Sequence, residues 1–204
     1  MNKANPNIFL DLDQTLISAE PGEEYNFNRN KHKAKLFNYK DMDGYYIVFE
    51  RPGLQKFLDY IFKNFNVSIW TAATKDYALF IIQNIIIGNR PERKLDWIFF
   101  SYHCNISSKL KNGTKDLAII WDIYNIPGYS NKNTVILDDY SEVFNTQPGN
   151  CIIAKIFEFS EPGSENDDFL LKMIPRLKKM KKEILNNPTN NPANIINENK
   201  SCSY

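Results

Sequence analysis

The sequence predicts an α/β fold of three layers, with a central, mainly parallel sheet covered by helices on both faces. Three observations predict it. Short apolar segments rich in β-branched and aromatic residues recur along the chain, separated by stretches with helical apolar spacing. These segments are nearly continuous in apolar character, as strands buried on both faces must be. Polar or acidic residues follow several of them directly, and open α/β sheets bind ligands beyond the carboxyl ends of their strands.

The elements follow in order. Ile8-Phe9-Leu10 is the first strand, ended by the carboxylates Asp11 and Asp13. From Ser18 to Met42 the chain is polar and mixed, with turn signals at Pro21-Gly22 and, just beyond, at Asp43-Gly44. Tyr45 to Phe49 reads as a strand closing a β-hairpin around Asp43-Gly44. The insert between Ser18 and Phe49 has room for a small β-hairpin, and no large cap domain is expected. Leu54, Phe57, Leu58, Ile61 and Phe62 recur at helical spacing.

Val67 to Trp70 is the second core strand, and Lys75 to Ile86 a helix with Thr74 at its N-cap. Trp97 to Phe100 is a third strand and Asp116 to Tyr124 a third helix. Thr134 to Leu137 is a fourth strand, again ending in two acids, Asp138 and Asp139, and Cys151 to Ala154 is a fifth. Phe169, Met173, Leu177, Met180 and Ile184 space out a last helix, with Lys178, Lys179, Lys181 and Lys182 as its solvated face. Beyond Asn186 the chain is Asn- and Pro-rich with almost no apolar pattern. The expected organisation is one domain over residues 1–186 and a disordered Asn-rich tail over 187–204.

Composition sets the outer limits. With 204 residues, 43% hydrophobic and 24% charged, the chain can bury the core of a single globular domain. Lys and Arg number 25 against 24 Asp and Glu, and this near-neutral balance argues against a nucleic-acid partner. The apolar run from Ala78 to Ile87 is broken by Gln83 and Asn84, and Ile8-Phe9-Leu10 is too short for a signal-peptide core, so no membrane association is expected. Cys104, Cys151 and Cys202 form no CxxC pair, which suits an intracellular, reducing compartment. The heavy use of Asn, Ile and Lys suits an AT-rich genome, viral or protist.

The chemistry concentrates at Asp11-Leu12-Asp13-Gln14-Thr15. Two carboxylates in one loop at a strand end repel each other, and this demands a cation or a shared proton. A calcium loop would need an oxygen ligand at the fifth place and Gly at the sixth, where Thr15 and Leu16 stand. A cysteine phosphatase would need Cys-x5-Arg, yet Leu110 and Phe157 lie six residues after Cys104 and Cys151. No GxxxxGK[ST] phosphate loop is present.

The DxDxT segment resembles the first motif of the haloacid dehalogenase superfamily, whose fold is Rossmann-like. The other three motifs follow in order: the strand Val67 to Trp70 ending at Thr71, Lys115 at a helix start, and the strand ending at Asp138-Asp139. Further stretches resemble the branch of phosphatases acting on the C-terminal domain of RNA polymerase II. They are Arg51-Pro52-Gly53-Leu54, Trp70-Thr71-Ala72-Ala73-Thr74 with Tyr77-Ala78, Lys115-Asp116-Leu117, Gln147-Pro148-Gly149-Asn150, and Leu170-Leu171 with Ile174-Pro175. The resemblance covers roughly residues 7–182. Asp139-Tyr140-Ser141 stands where the family has Asn-Ser-Pro, and Ser101-Tyr102-His103-Cys104 stands where it carries an Arg-Glu pair near a Cys.

The resemblance implies a Mg²⁺-dependent phosphoserine/phosphothreonine protein phosphatase. Asp11 would be the nucleophile that forms an aspartyl-phosphate, and Asp13 the general acid and base. Lys115 would neutralise charge, and Thr71 would donate a hydrogen bond to a phosphoryl oxygen. Mg²⁺ would be held by Asp11, the Asp13 backbone carbonyl and Asp138, with Asp139 either a second acidic ligand or an outer-shell acid. The implied partner is a phosphoprotein, with the C-terminal domain of RNA polymerase II as one candidate, in the nucleus or cytoplasm, a host cell's if the protein is viral. Two other readings of the same residues are a nucleic-acid 3′-phosphatase of this fold and a catalytically silent phosphoprotein-binding scaffold.

Overall fold

In the computed structural model, residues 5–23, 27–188 and 191–197 are described. Strands β1 (Asn7–Leu10), β5 (Asn66–Trp70), β6 (Leu95–Phe99), β7 (Thr134–Asp138) and β8 (Cys151–Ile153) form a five-stranded sheet in the order β6-β5-β1-β7-β8. Every pairing in it is parallel. Ile8 lies beside Val67 on one side and Val135 on the other. The chain moves outward from β1 to β5 and β6, then returns to place β7 and β8 on the opposite side. The order therefore reverses at β1, where α/β sheets open a crevice.

Side-chain alternation divides the core into the two expected faces. Ile8, Leu10, Val67, Ile69, Val135 and Leu137 face helices α2 (Leu54–Asn64), α3 (Lys75–Ile81) and α6 (Phe169–Asn186). Phe9, Trp70, Ile136 and Cys151 face the other way, against Leu117, Ile119, Ile120 and Val143. Both faces of β1 are thereby dry, which explains its uninterrupted apolar run.

The insert is larger than the expected hairpin. The hairpin is present, with β3 (Tyr39–Met42) and β4 (Tyr46–Glu50) joined through Asp43 and Gly44, both in the left-handed region at φ 49° and 78°. The Tyr45 N–H closes this turn on the Met42 carbonyl, and positive φ at its two central residues matches the twist of the paired strands. Strand β2 (Ile17–Pro21) adds on the other side of β4, and helix α1 (Phe27–Ala34) lies between β2 and β3. Neither has an apolar pattern of its own. Ala34, the last residue of α1, and Phe37 just beyond it are buried against Phe49, Phe157 and Phe159, residues distant in sequence.

Two further expectations are corrected, and one helix stands where the sequence predicts none. Helix α4 (Ser101–Leu110) occupies a stretch with no helical apolar spacing, burying only Cys104 and Ser107. The helix expected over Asp116 to Tyr124 is a π-helical turn over Ile119–Ile123, entered through a turn in which the Asp116 carboxylate accepts the Ala118 N–H. The helix from Lys75 ends at Ile81 and continues as a π-helical turn over Ile82–Ile87, while Thr74 stands at the expected N-cap, its carbonyl accepting the Ala78 N–H, without a side-chain cap bond.

The expected disordered tail is also corrected over residues 191–197. Helix α7 (Asn194–Asn197) docks beside β8, burying Ala193 and Ile196. Arg176 donates to the Ile196 carbonyl at 2.9 Å, and Asn197 donates to that of Cys151 at 2.9 Å. Two apolar side chains and side-chain bonds to main-chain carbonyls suffice where the tail's own sequence shows no periodicity. Residues 189–190 and 198–204 of that expectation lie outside the described residues. Among the described residues no helix is long and apolar enough to cross a membrane.

Candidate active site

The site lies at the carboxyl ends of β1, β5 and β7. Asp11 follows β1 directly, and its N–H continues the sheet ladder to the Leu137 carbonyl at 3.0 Å. The loop then closes on itself, with the Leu12 carbonyl accepting from Leu16 and Ile17 N–H and with Gln14 in the left-handed region at φ 58°. Buried Arg51 clamps this loop from outside. Its Nη1 donates to the Thr15 and Lys155 carbonyls at 2.9 and 2.8 Å, while Nε and Nη2 engage both Asp167 oxygens at 2.8 and 2.9 Å.

Lys115 brings the motifs together. Its buried ammonium lies 2.7 Å from Asp11 Oδ1 and 2.7 Å from Asp138 Oδ2. Asp138 is fully buried at the end of β7, and its other oxygen accepts the Tyr140 N–H. Asp139 accepts from the Thr15 hydroxyl at 2.7 Å. Asp11, Asp138 and Asp139 each offer an oxygen within 4.8 Å of the others. Two of these carboxyl groups face the Lys115 ammonium, and the third adjoins them. An all-oxygen donor set of this kind suits a hard ion such as Mg²⁺. The Asp13 carboxylate stands apart from that cluster, accepting the Tyr77 hydroxyl at 2.5 Å.

Thr71 follows β5, and its hydroxyl oxygen accepts the Ala73 N–H at 3.0 Å, which leaves the hydroxyl hydrogen free to donate. Asp11, Asp13, Thr71, Lys115, Asp138 and Asp139 were all singled out in the sequence. Tyr77 was seen only as part of a matching stretch, because nothing local marks a helix tyrosine as the partner of an acid 64 positions away.

The electrostatics follow from burial. Desolvation, opposed by Lys115 and reinforced by Asp138, pushes Asp11 up to about 8. Desolvation also raises Asp13, against the lowering effect of the Tyr77 bond. Burial alone would lower Lys115, but Asp11 and Asp138 together hold it above its ordinary value, so it stays charged. A cation at the carboxylates would act on Asp11 in the same direction as Lys115. Buried Cys104 donates to the Thr71 carbonyl at 3.6 Å, and burial raises its thiol, which disfavours the thiolate a cysteine nucleophile needs.

The insert reaches this site through Tyr46, whose ring meets that of Tyr77 edge-on at 5.3 Å. Tyr39 instead packs on Phe49 at 5.5 Å, and Tyr45 is exposed.

Known proteins resemble this chain over most of its length. The chain is 45% identical over 171 residues to the CTD phosphatase-like protein 355R of Invertebrate iridescent virus 6, covering 82% of this chain and 94% of that protein. The counterpart from Invertebrate iridescent virus 3 is 42% identical over 186 residues, covering 88% and 99%. Ubiquitin-like domain-containing CTD phosphatase 1 of Danio rerio is 27% identical over 135 residues, covering 65% of this chain and 42% of that protein. A solved structure of the fission yeast RNA polymerase II CTD phosphatase Fcp1, bound to beryllium fluoride, superposes with a TM-score of 0.53 at 20% identity, over 88% of this chain and 52% of that one. That likeness carries the fold. The profile of NLI interacting factor-like phosphatases matches residues 6–186, which takes in every strand of both sheets and every side chain of the site, and the chain belongs to that family.

Proposed function

We propose that this protein phosphatase removes phosphate from phosphoserine and phosphothreonine by way of an aspartyl-phosphate on Asp11, with Mg²⁺ as its metal and the C-terminal domain of RNA polymerase II among its substrates. The observation that carries the reading is the Lys115 ammonium between Asp11 and Asp138, with Asp139 beside them. Phosphoryl transfer passes through a largely dissociative transition state, so positioning and charge neutralisation supply most of the catalysis. Asp11 attacks phosphorus as the serine or threonine oxygen departs. Asp13 gives that oxygen a proton, then takes one from the water that attacks the same phosphorus, which frees inorganic phosphate and restores Asp11.

Lys115 offsets charge on Asp11 and on the incoming phosphoryl group. The Thr71 hydroxyl hydrogen points its bond at a phosphoryl oxygen. Asp11, Asp138 and Asp139 would hold the Mg²⁺, which screens the repulsion between carboxylate and phosphate. The choice of the polymerase domain rests on what the relatives are named for, and the viral relatives favour action inside a host cell.

The test is hydrolysis of a phosphoserine peptide by wild type and Asp11→Asn, with Mg²⁺ and after chelation. Turnover in wild type with Mg²⁺ alone is expected. Substantial turnover by a well-folded Asp11→Asn protein would remove the nucleophile, and full activity after thorough chelation would remove the metal.

A further inference from the structure

Lys115 sits in a turn, outside any helix or strand. No regular ladder fixes its backbone, and side chains do so instead. Ser107 of α4 donates to the Gly113 carbonyl at 2.5 Å and accepts the Asp116 N–H at 2.9 Å. Glu142 of α5 (Ser141–Thr146) accepts from the Thr114 N–H and hydroxyl at 3.2 and 3.1 Å. Gln147, at the C-terminus of α5, brackets the lysine itself. Its Nε2 donates to the Lys115 carbonyl at 2.6 Å, and its Oε1 accepts the Leu117 N–H at 3.0 Å.

We propose that Gln147 is a positioning residue for Lys115, and that the docked segment 191–197 braces the loop from which Gln147 acts. The proposal rests on the reading of Lys115 as the group that meets the substrate phosphate.

A carboxamide donates to a carbonyl and accepts from an N–H at the same time, which Glu, Met or Lys in its place could not do. Gln147 is itself held. Its N–H bonds the Phe144 carbonyl at 3.2 Å, and its carbonyl accepts from the Asn150 and Cys151 N–H groups, both at 2.9 Å, where β8 begins. The next two residues carry the docked segment. The Ala193 N–H bonds the Gly149 carbonyl at 2.9 Å, and Asn197 Nδ2 reaches the Pro148 and Cys151 carbonyls at 3.4 and 2.9 Å. A Cβ on Gly149 would stand 2.1 Å from Asn191 Oδ1, so any larger residue there would have to displace the Asn191 side chain. The support of Lys115 thus runs outward to residues beyond the 6–186 that the family profile matches.

An ammonium on a flexible stem takes its position from where its backbone begins. Displacing a catalytic group by about 1 Å can cost on the order of a hundredfold in rate. The experiment uses the full chain and measures kcat and KM on an aryl phosphate with Mg²⁺, the inhibition constant of orthophosphate, and the melting curve. The variants are Gln147→Met, Gln147→Glu, Lys115→Met and the double variant Lys115→Met with Gln147→Met. Gln147→Glu keeps the acceptor for Leu117 and loses the donor to Lys115, so it serves if Gln147→Met fails to fold.

Both Gln147 variants are expected to lower kcat/KM about tenfold or more and to weaken orthophosphate inhibition by a similar factor while still melting cooperatively. On the Lys115→Met background the same change should move orthophosphate inhibition by less than about twofold, because residues that act through one another are not additive. A purely structural role lowers the folded fraction and leaves the inhibition constant where it was. An unchanged constant in a folded Gln147 variant, or an equal effect with and without Lys115, overturns the proposal. Failure of wild type to turn over substrate and bind orthophosphate would instead remove the phosphate-site reading beneath it.

Discussion

The hydroxyl of Tyr77 donates to Asp13 Oδ1 at 2.5 Å, joining helix α3 to the loop that leaves β1. Burial, Lys115 and Asp139 also act on the Asp13 carboxyl, which is not one of the three acids grouped at Asp11, Asp138 and Asp139. Within one DxD motif, one acid is grouped with two others and with Lys115, while its neighbour bonds a tyrosine. Desolvation raises Asp13 and the Tyr77 bond lowers it. Tyr77→Phe removes the lowering contribution, so Asp13 keeps its proton to higher pH. A general acid must be protonated, and the alkaline limb of kcat/KM should move to higher pH. A pH–rate profile of the variant checks this, and an unmoved limb would separate Asp13 from the acid step.

Asp11 predicts how stability depends on pH in the chelated protein. Its carboxyl is raised from 3.8 to about 8, with burial the largest cause. Between those values the folded state binds a proton that the unfolded chain has lost, so stability falls as pH rises from about 4 to about 8. Lys115 is also raised, but from 10.5 upward, outside this window. Melting temperature in EDTA should therefore decline across that range, and Asp11→Asn should flatten the decline. Parallel curves for the two proteins would count against a buried, proton-holding Asp11.

Tyr46 predicts substrate choice. It is the insert residue that touches Tyr77, and it stays partly exposed. An aromatic surface there suits a proline beside the phosphoserine, since proline-rich peptides are already extended and lose little entropy on docking. Tyr46→Ala should lower kcat/KM for a phosphoserine-proline peptide about fivefold more than for an aryl phosphate, a loss of about 1 kcal/mol for an aromatic contact. Equal losses on the two substrates would place Tyr46 in the hairpin's packing alone.

Ile196 tests the docked tail. It is 2% exposed beside β8, in a segment whose sequence predicts no structure. Ile196→Asp in the full chain should cost about 1–2 kcal/mol, less than a substitution in the central core because a short segment can undock by itself. Chemical denaturation measures the loss, and an unchanged midpoint would mean that the segment adds nothing to stability.

The sequence by itself determined the parallel sheet and the identity of the acids around Lys115. Strands such as Ile8-Phe9-Leu10 and Val135-Ile136-Leu137 are dry on both faces, so each is an apolar run that stops abruptly at a carboxylate. That abrupt change is a local signal, and it marks both the strand and its functional end. Strand β2 and helices α1, α4 and α7 left no such signal, because they are short or polar and carry no sustained apolar pattern. They are held by partners far away in the chain, as Phe37 is by Phe157 and Phe159. The same distance hid the working contacts. Tyr77 meets Asp13 across 64 residues, Gln147 meets Lys115 across 32, and Thr15 meets Asp139 across 124. Local sequence specifies which residues end a strand or start a turn. Only the packed structure decides which of them lie within hydrogen-bond distance, since that depends on how every intervening element stacks against the sheet.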